Sequence, residues 1–379
     1  MFPWKCHTGS YKMEVSLMKQ FSRLLTLALA ALMLLSLCAC GGSTPAATTG
    51  APTEAPTEAP TEPPRREVTV VGEPLRHMSY NIAGSLGTER LQLFYMEGRE
   101  AKKNNIKAII EELDPDTISI QEASEDWRTG LPPFLNDVYA IAGATHEEVP
   151  TPEFWLNPVL YKVEKFNCLD EGVFFLSETY GRDGSSSRSC SYALLERKAD
   201  GELILVMSTH VSAGSLGTQE MWDSNYRNYL VDDANRSCTR DMQVGVLRKF
   251  VNEKIAEYAG SYDKEISVIL SGDFNIDCWT DEKYSNEYSR LLETMSSGES
   301  GPALYESGVV CKELVPNQTR KTWQTYRLTD SEMGAYLRLD YIFVSDNVVV
   351  DQHVCYNTPY SAGESSDHHP VYSDYSIGH

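Results

Sequence analysis

Residues 271–277, Ser-Gly-Asp-Phe-Asn-Ile-Asp, follow the apolar run Ile266-Ser267-Val268-Ile269-Leu270 and place two carboxylates and an amide within five positions. A carboxylate at the end of a buried strand must be solvated, paired or bound to metal, because an unpaired charge away from water is costly. Asp273 and Asn275 are two apart, so in an extended segment their side chains face the same way. Gly, Asp and Asn are also the commonest turn formers, so the heptapeptide alone fits a surface turn as well as a site. The rest of the chain decides between them. Asn81 closes Met78-Ser79-Tyr80-Asn81-Ile82, Glu122 closes Ile120-Gln121-Glu122, and His210 closes Met207-Ser208-Thr209-His210. Asp340 opens Leu339-Asp340-Tyr341-Ile342-Phe343-Val344, and Ser366-Asp367-His368-His369-Pro370-Val371 lies near the C-terminus. Each alone is ordinary: a lone His is commonly structural and a lone Glu solvated. Together they form a set of metal- and phosphate-competent groups at strand ends.

The elements that must position this set can be read from periodicity. Ile106, Ile109, Ile110 and Leu113 repeat at helical spacing and predict an amphipathic helix from about Arg99, stopped by Asp114-Pro115. A second helix is expected from about Arg240 to Tyr258, with Gly260 as its stop. Strands are expected at 76–82, 117–121, 159–161, 191–196, 203–209, 266–270 and 339–345. Many strands with few helices between them imply packed sheets with helices outside, an α/β or α+β layered domain.

The N-terminal region is a different kind of sequence. From Met18, Lys19 and Arg23 form a basic start, Leu24 to Leu37 is apolar, and Leu37-Cys38-Ala39-Cys40-Gly41-Gly42 closes it. Basic, apolar and small-residue regions in that order make a secretory signal, too short for a comfortable membrane span. Its ending resembles the bacterial lipoprotein signal, which implies a lipidated Cys40, removal of residues 1–40 and an extracytoplasmic protein held to the membrane by lipid. The translation start is expected near Met18. Residues 41–67 include Ala-Pro-Thr-Glu repeats and read as an extended, semi-rigid linker. Residues 68–379 are expected to form a single domain of roughly 300 residues.

The 379-residue chain carries a net charge of −21, and residues 1–40 contribute +3 of that balance, so cleavage would leave −24. Such a field repels polyanions at long range. Cys168, Cys190, Cys238, Cys278, Cys311 and Cys355 lie in the domain, an even number that permits disulfides outside the cell but predicts no particular pairing. Buried thiols fit equally well.

In order along the domain, Tyr80-Asn81-Ile82, Gln121-Glu122, Leu160-Tyr161-Lys162, Ser208-Thr209-His210, Gly272-Asp273-Phe274-Asn275, Asp340-Tyr341-Ile342 and Ser366-Asp367-His368-His369-Pro370-Val371 resemble the endonuclease/exonuclease/phosphatase superfamily. The resemblance implies a deoxyribonuclease-like four-layer sandwich of two mainly antiparallel sheets flanked by helices. It implies a divalent metal, Mg²⁺ or Mn²⁺, held by Glu122 with Asn81 and Asp367 nearby. Asp273 would orient or deprotonate the attacking water, His210 and Asn275 would bind phosphate oxygens, and Asp340 would pair with His368. Tyr161 would lie beside the phosphate or leaving group, and Arg188 stands where relatives often carry a phosphate-binding arginine. His353 and His369 are left as structural or exposed.

Elementary chemistry agrees with these roles. Hydrolysis of a phosphoester brings a nucleophile to an anionic phosphorus, so positive charge is needed where negative charge accumulates. Carboxylate and amide oxygens are hard ligands that suit Mg²⁺ or Mn²⁺. The identity of the ester is less legible. Gln121-Glu122-Ala123-Ser124 departs from the Gln-Glu-Thr-Lys of abasic-site nucleases, and the Gly-Asp-Leu-Asn of inositol phosphatases is absent. Gly-Asp-Phe-Asn-Ile-Asp-Cys resembles secreted deoxyribonucleases, whereas the charge tilts against nucleic acid, whose affinity comes mainly from Lys and Arg. Nucleic acid, a phospholipid head group and a small phosphate ester therefore all stand as substrates of a monomer. A surface module that binds without hydrolysing is the alternative.

Overall fold

In the computed structural model the residues described are 65–83, 99–123, 131, 133–143, 157–176, 188–211, 239–276, 287–298, 301–315, 323–324, 336–356, 366 and 368–379. Contacts divide the chain into Met1–Thr61 and Glu62–His379, and every described residue belongs to the second unit. The expected signal, Cys40 and most of the linker lie outside the described residues. The last linker residues do not: Arg66 pairs with Glu265 at 2.8 Å, and Arg65 donates to the carbonyl of Val348.

The strands in chain order are β1 Val70–Asn81, β2 Thr117–Gln121, β3 Tyr139–Ala142, β4 Val159–Lys162, β5 Phe166–Phe175, β6 Ser189–Arg197, β7 Leu203–His210 and β8 Ile266–Asp273. There follow β9 Leu304–Glu306, β10 Glu313–Leu314, β11 Trp323–Gln324, β12 Tyr336–Leu337, β13 Asp340–Ser345, β14 Val348–Cys355 and β15 Val371–Gly378. Three helices matter for the site: α1 Arg99–Leu113, α2 Thr239–Ala259 and α3 Glu287–Ser296. A seven-stranded sheet runs β10-β14-β15-β1-β2-β4-β3, a six-stranded sheet runs β5-β6-β7-β8-β13-β9, and β11 pairs β12 apart from both.

Strand alternation builds four layers. Met78, Tyr80, Ile118 and Ile120 face Ile106, Ile109, Ile110 and Leu113 of α1 on the outside of the larger sheet. Leu203, Leu205, Met207, Val268 and Leu270 face Val244, Leu247 and Val251 of α2 on the outside of the smaller one. The opposite faces meet in a third cluster, with Ile204, Val206, Ile269, Ile342 and Val344 against Leu75, Val371, Tyr375 and Ile377. The expected four-layer sandwich of mainly antiparallel sheets is what forms.

Two strand pairs in the centre are parallel, β1 with β2 and β7 with β8. Parallel neighbours need a crossover, and α1 and α2 supply it. Each such unit brings the C-terminal ends of its two strands to the same edge. The partners β13 and β15 run antiparallel to β8 and β1, so they begin at that edge. Four strand ends and two strand starts thus gather at one rim of the sandwich.

A polar seam crosses the space between the sheets below this rim. His77, fully buried on β1, places Nδ1 2.8 Å from Thr117 Oγ1 and Nε2 2.8 Å from Ser271 Oγ of the other sheet. Gln121 Nε2 donates to Ser208 Oγ at 3.2 Å. Cys168, Cys190, Cys311 and Cys355 are thiols rather than disulfides, while Cys238 and Cys278 lie outside the described residues.

Candidate active site

Asn81, His210, Asp273 and Asp340 are inward-facing residues at the gathered strand ends, and all four are buried. Register explains their meeting: His210 is paired with Asp273 across β7 and β8, and Asp340 with Asp273 across β8 and β13. Gly272 makes the close β7–β8 approach feasible, since a Cβ there would lie 1.9 Å from the Thr209 carbonyl oxygen.

Asp273 is the hub. Its Oδ2 lies 3.3 Å from His210 Nε2, 3.7 Å from His368 Nε2 and 3.0 Å from Asn81 Nδ2, while Oδ1 accepts the Asn275 N–H at 2.9 Å. Burial alone would raise this carboxyl, but the charges of His210 and His368 and the hydrogen bonds from His210 and the Asn275 N–H outweigh it. The carboxyl is held well below the usual carboxylate range. Asp273 is therefore an ionised acceptor surrounded by donors.

Around it, His368 Nδ1 meets Asp340 Oδ2 at 2.8 Å, which turns Nε2 toward Asp273. Asn81 donates from Nδ2 to Glu122 Oε1 at 3.2 Å as well as to Asp273, and its Oδ1 accepts the Ala83 N–H at 3.0 Å. Asn275 donates one amide proton to the Val211 carbonyl at 2.9 Å. Its NH₂ carries a second proton for another acceptor. Among the described residues His210 Nδ1 has no hydrogen-bond partner. His369 is partly buried, and burial followed by the neighbouring His368 lowers it to about 4. His353 lies away from this rim, buried between Ser307 Oγ at 2.8 Å and Ser373 Oγ at 3.0 Å.

The backbone is held in unusual conformations at this rim. Ala83, Glu122 and Asn275 have φ of 47°, 59° and 53°. Non-glycine residues in that left-handed region cost about 1–3 kcal/mol each and persist where their surroundings over-determine them.

Of the residues expected from sequence, Asn81, Glu122, His210, Asp273, Asn275, Asp340 and His368 come together. Arg188 reaches the same edge: it precedes Ser189 of β6, whose next residue, Cys190, pairs with Thr209. Asp367 and Cys40 lie outside the described residues. Tyr161 does not join the site. It pairs with Thr117, at the start of β2, and the rim lies beyond Gln121, four residues or ~13 Å along the strand. Because β4 runs antiparallel to β2, its rim end is Asn157 and Pro158, with Ile120 N–H donating to the Pro158 carbonyl. Burial, then neighbouring Cys168 and Glu171, push the Tyr161 hydroxyl up to about 12.

Ser366, to which no motif assigns a role, donates from Oγ to the Asn81 carbonyl at 2.6 Å and accepts the His368 N–H at 3.1 Å. Lys102, Arg240 and Glu287 likewise have no motif to mark a role at the site.

Two sets of groups here have the chemistry of a cation site. Ligand atoms of Asp273, Asp340 and His368 all lie within 4.8 Å of one another. Within that set, however, Asp340 Oδ2 and His368 Nδ1 are already committed to each other at 2.8 Å. Glu122 and Asn81 fit a hard cation better: a partly exposed carboxylate stands beside an amide whose 180° turn would offer oxygen in place of nitrogen. As placed, Asn81 is a donor to carboxylates rather than a ligand.

The sequence profile of the Endonuclease/Exonuclease/phosphatase family matches residues 78–368. No curated protein matches the chain. Among solved structures, an endonuclease/exonuclease/phosphatase family protein from Bacteroides thetaiotaomicron is 20% identical, with a TM-score of 0.59 over 81% of this chain and 99% of that one. A mannosyl-6-phosphatase from the same organism is 20% identical, with a TM-score of 0.56 over 79% and 99%. The human Nocturnin catalytic domain with bound sulfate is 19% identical, with a TM-score of 0.53 over 82% and 97%.

Proposed function

Because the chain belongs to the endonuclease/exonuclease/phosphatase family, we propose that it is a metal-dependent phosphoesterase whose chemistry centres on Asp273. The observation that carries this reading is one buried carboxylate oxygen approached by His210, His368 and Asn81, with Glu122 on the far side of the same amide. Glu122 and Asp367, with Asn81 once its amide has turned its oxygen toward Glu122, would hold Mg²⁺ or Mn²⁺, which when bound would polarise the phosphoryl oxygens. A carboxylate kept ionised by two imidazoles is a weak base, so Asp273 orients the attacking water more than it deprotonates it. His210 and the second amide proton of Asn275 donate to phosphate oxygens. Asp340 fixes the ring of His368 so that its Nε2 serves the reacting phosphate, and Arg188 adds charge at the same edge.

A small phosphate ester is the first substrate to try. The net charge of −21 opposes a polynucleotide, and one structural neighbour is a mannosyl-6-phosphatase. Turnover of bis-p-nitrophenyl phosphate with Mg²⁺ or Mn²⁺, lost in EDTA and restored by added cation, is expected. Plasmid DNA, RNA, sphingomyelin and sugar phosphates, assayed in parallel, distinguish nuclease, phospholipid phosphodiesterase and phosphatase. Failure to turn over every one of these with either cation would leave the non-hydrolysing binding module instead.

The same proposal places the enzyme outside the cell, monomeric and tethered by lipid at Cys40, on the support of the basic, apolar and Leu-Cys-Ala-Cys-Gly pattern of residues 18–41. Fatty-acid labelling that disappears in Cys40→Ser tests it.

A further inference from the structure

Ala83 and Asn275 are left-handed residues in the segments that follow β1 and β8, and the same device holds both. Lys102, in the first turn of α1 and 3% exposed, donates from Nζ to the Ala83 carbonyl at 2.5 Å. Arg240, in the first turn of α2 and 3% exposed, donates from Nη1 to the Asn275 carbonyl at 3.0 Å. The Arg240 fork is in turn fixed by Glu287 at the start of α3, at 2.5 and 2.9 Å. Each helix is the crossover of one parallel strand pair, so its first turn starts near the rim where the pair ends. A buried main-chain carbonyl needs a donor, and a cation is a stronger donor than a neutral group.

We propose that Lys102 and Arg240 are a matched pair of positioning residues, one per sheet, which hold the Ala83 and Asn275 carbonyls and thereby set the Asn81 side-chain amide and the Asn275 backbone N–H against Asp273. Ala83 N–H is bonded to Asn81 Oδ1, and Asn275 N–H to Asp273 Oδ1; in each case the held carbonyl and the bonded N–H lie on adjacent peptide units joined at one left-handed Cα, so releasing the carbonyl frees that Cα to leave its left-handed conformation and disturbs a contact inside the site. Buried as they are, Lys102 and Arg240 act through those carbonyls and not on substrate. The kinetic part of this inference rests on the phosphoesterase reading; the structural part does not.

The test uses the full-length chain with Lys102→Met, which keeps the aliphatic stem, and the double variant Arg240→Met/Glu287→Gln, which avoids leaving Glu287 buried and unpaired. Arg240→Lys is the conservative control. In folded variants the side-chain amide resonances of Asn81, or the backbone amide resonance of Asn275, are expected to shift, each with its own helix. On bis-p-nitrophenyl phosphate, kcat should fall roughly 10- to 100-fold with KM little changed, as for a small misplacement of reacting groups, and Arg240→Lys should recover part of it. Unmoved amide resonances with unchanged kcat would overturn the proposal, as would a loss of activity that follows thermal unfolding alone. Were the native chain to hydrolyse no phosphoester, the amide resonances alone would decide.

Discussion

His210 and Asp273 occupy the same register position on two parallel strands, and His210 Nε2 lies 3.3 Å from Asp273 Oδ2. Parallel pairing brings both side chains to the same end and the same face, so a shift of one residue in register would send one of them to the helix side. Asp273→Asn keeps the shape of the side chain but replaces its charge, leaving an amide where three donors converge. Turnover should fall roughly 10²- to 10⁴-fold with the circular dichroism spectrum unchanged. A folded Asp273→Asn protein with near-native turnover would remove Asp273 from the chemistry.

Asp340 and His368 should behave as one unit. Their 2.8 Å contact fixes the orientation of the ring, and His368 Nε2 then stands 3.7 Å from Asp273. His368→Ala is expected to lower kcat roughly 10²- to 10⁴-fold. Asp340→Asn should cost less, and the double variant should be little worse than His368→Ala, because groups acting together are not additive. If the two losses multiply, the residues work independently.

Sequence legibility followed local pattern. The site ends of β1, β2, β7, β8 and β13 were readable because a run of strand-forming residues ends, or in β13 begins, at a polar residue. The expected helix 240–258 differs from α2, Thr239–Ala259, by one residue at each end. Strands such as β5, with Asp170-Glu171-Gly172 inside it, and β15, Val-Tyr-Ser-Asp-Tyr-Ser-Ile-Gly, lack that pattern and draw their order from their neighbours. Tyr161 shows the other limit. Its motif is in the right order along the chain, yet the antiparallel direction of β4 carries it away from the rim, and direction is a property of the sheet. Arg240 and Lys102 were silent for a related reason, since a main-chain carbonyl as partner leaves no mark in the sequence.

Gly272 is required by the closeness of β7. A Cβ at 1.9 Å from the Thr209 oxygen meets backbone, which cannot swing away, and the φ of 153° is one that side-chain-bearing residues rarely adopt. Gly272→Ala should destabilise the protein by on the order of 3 kcal/mol, at the upper end of overpacking costs. Urea unfolding measures it. Turnover should fall further than unfolding explains, because His210 and Asp273 flank the forced contact; a loss below 1 kcal/mol, about the size of a tolerated surface change, would show the strands can part freely.

His77 makes stability depend on acid. Full burial lowers its pKa to about 3, against an ordinary value of 6.5, while Thr117 and Ser271 hold both ring nitrogens. Well above pH 6.5 the ring is neutral in folded and unfolded chains alike and contributes no pH dependence. Between 6.5 and about 3 the unfolded chain takes up a proton that the folded one refuses, so stability falls as pH falls, by about 1.4 kcal/mol per pH unit at most. From pH 6.5 to 5 this one residue should remove about 1.6 kcal/mol that a folded His77→Gln variant retains. Urea unfolding of both proteins at the two pH values measures the difference. Equal losses in the two proteins would mean that the imidazole takes up its proton within the fold, and that it donates from both ring nitrogens to Thr117 and Ser271.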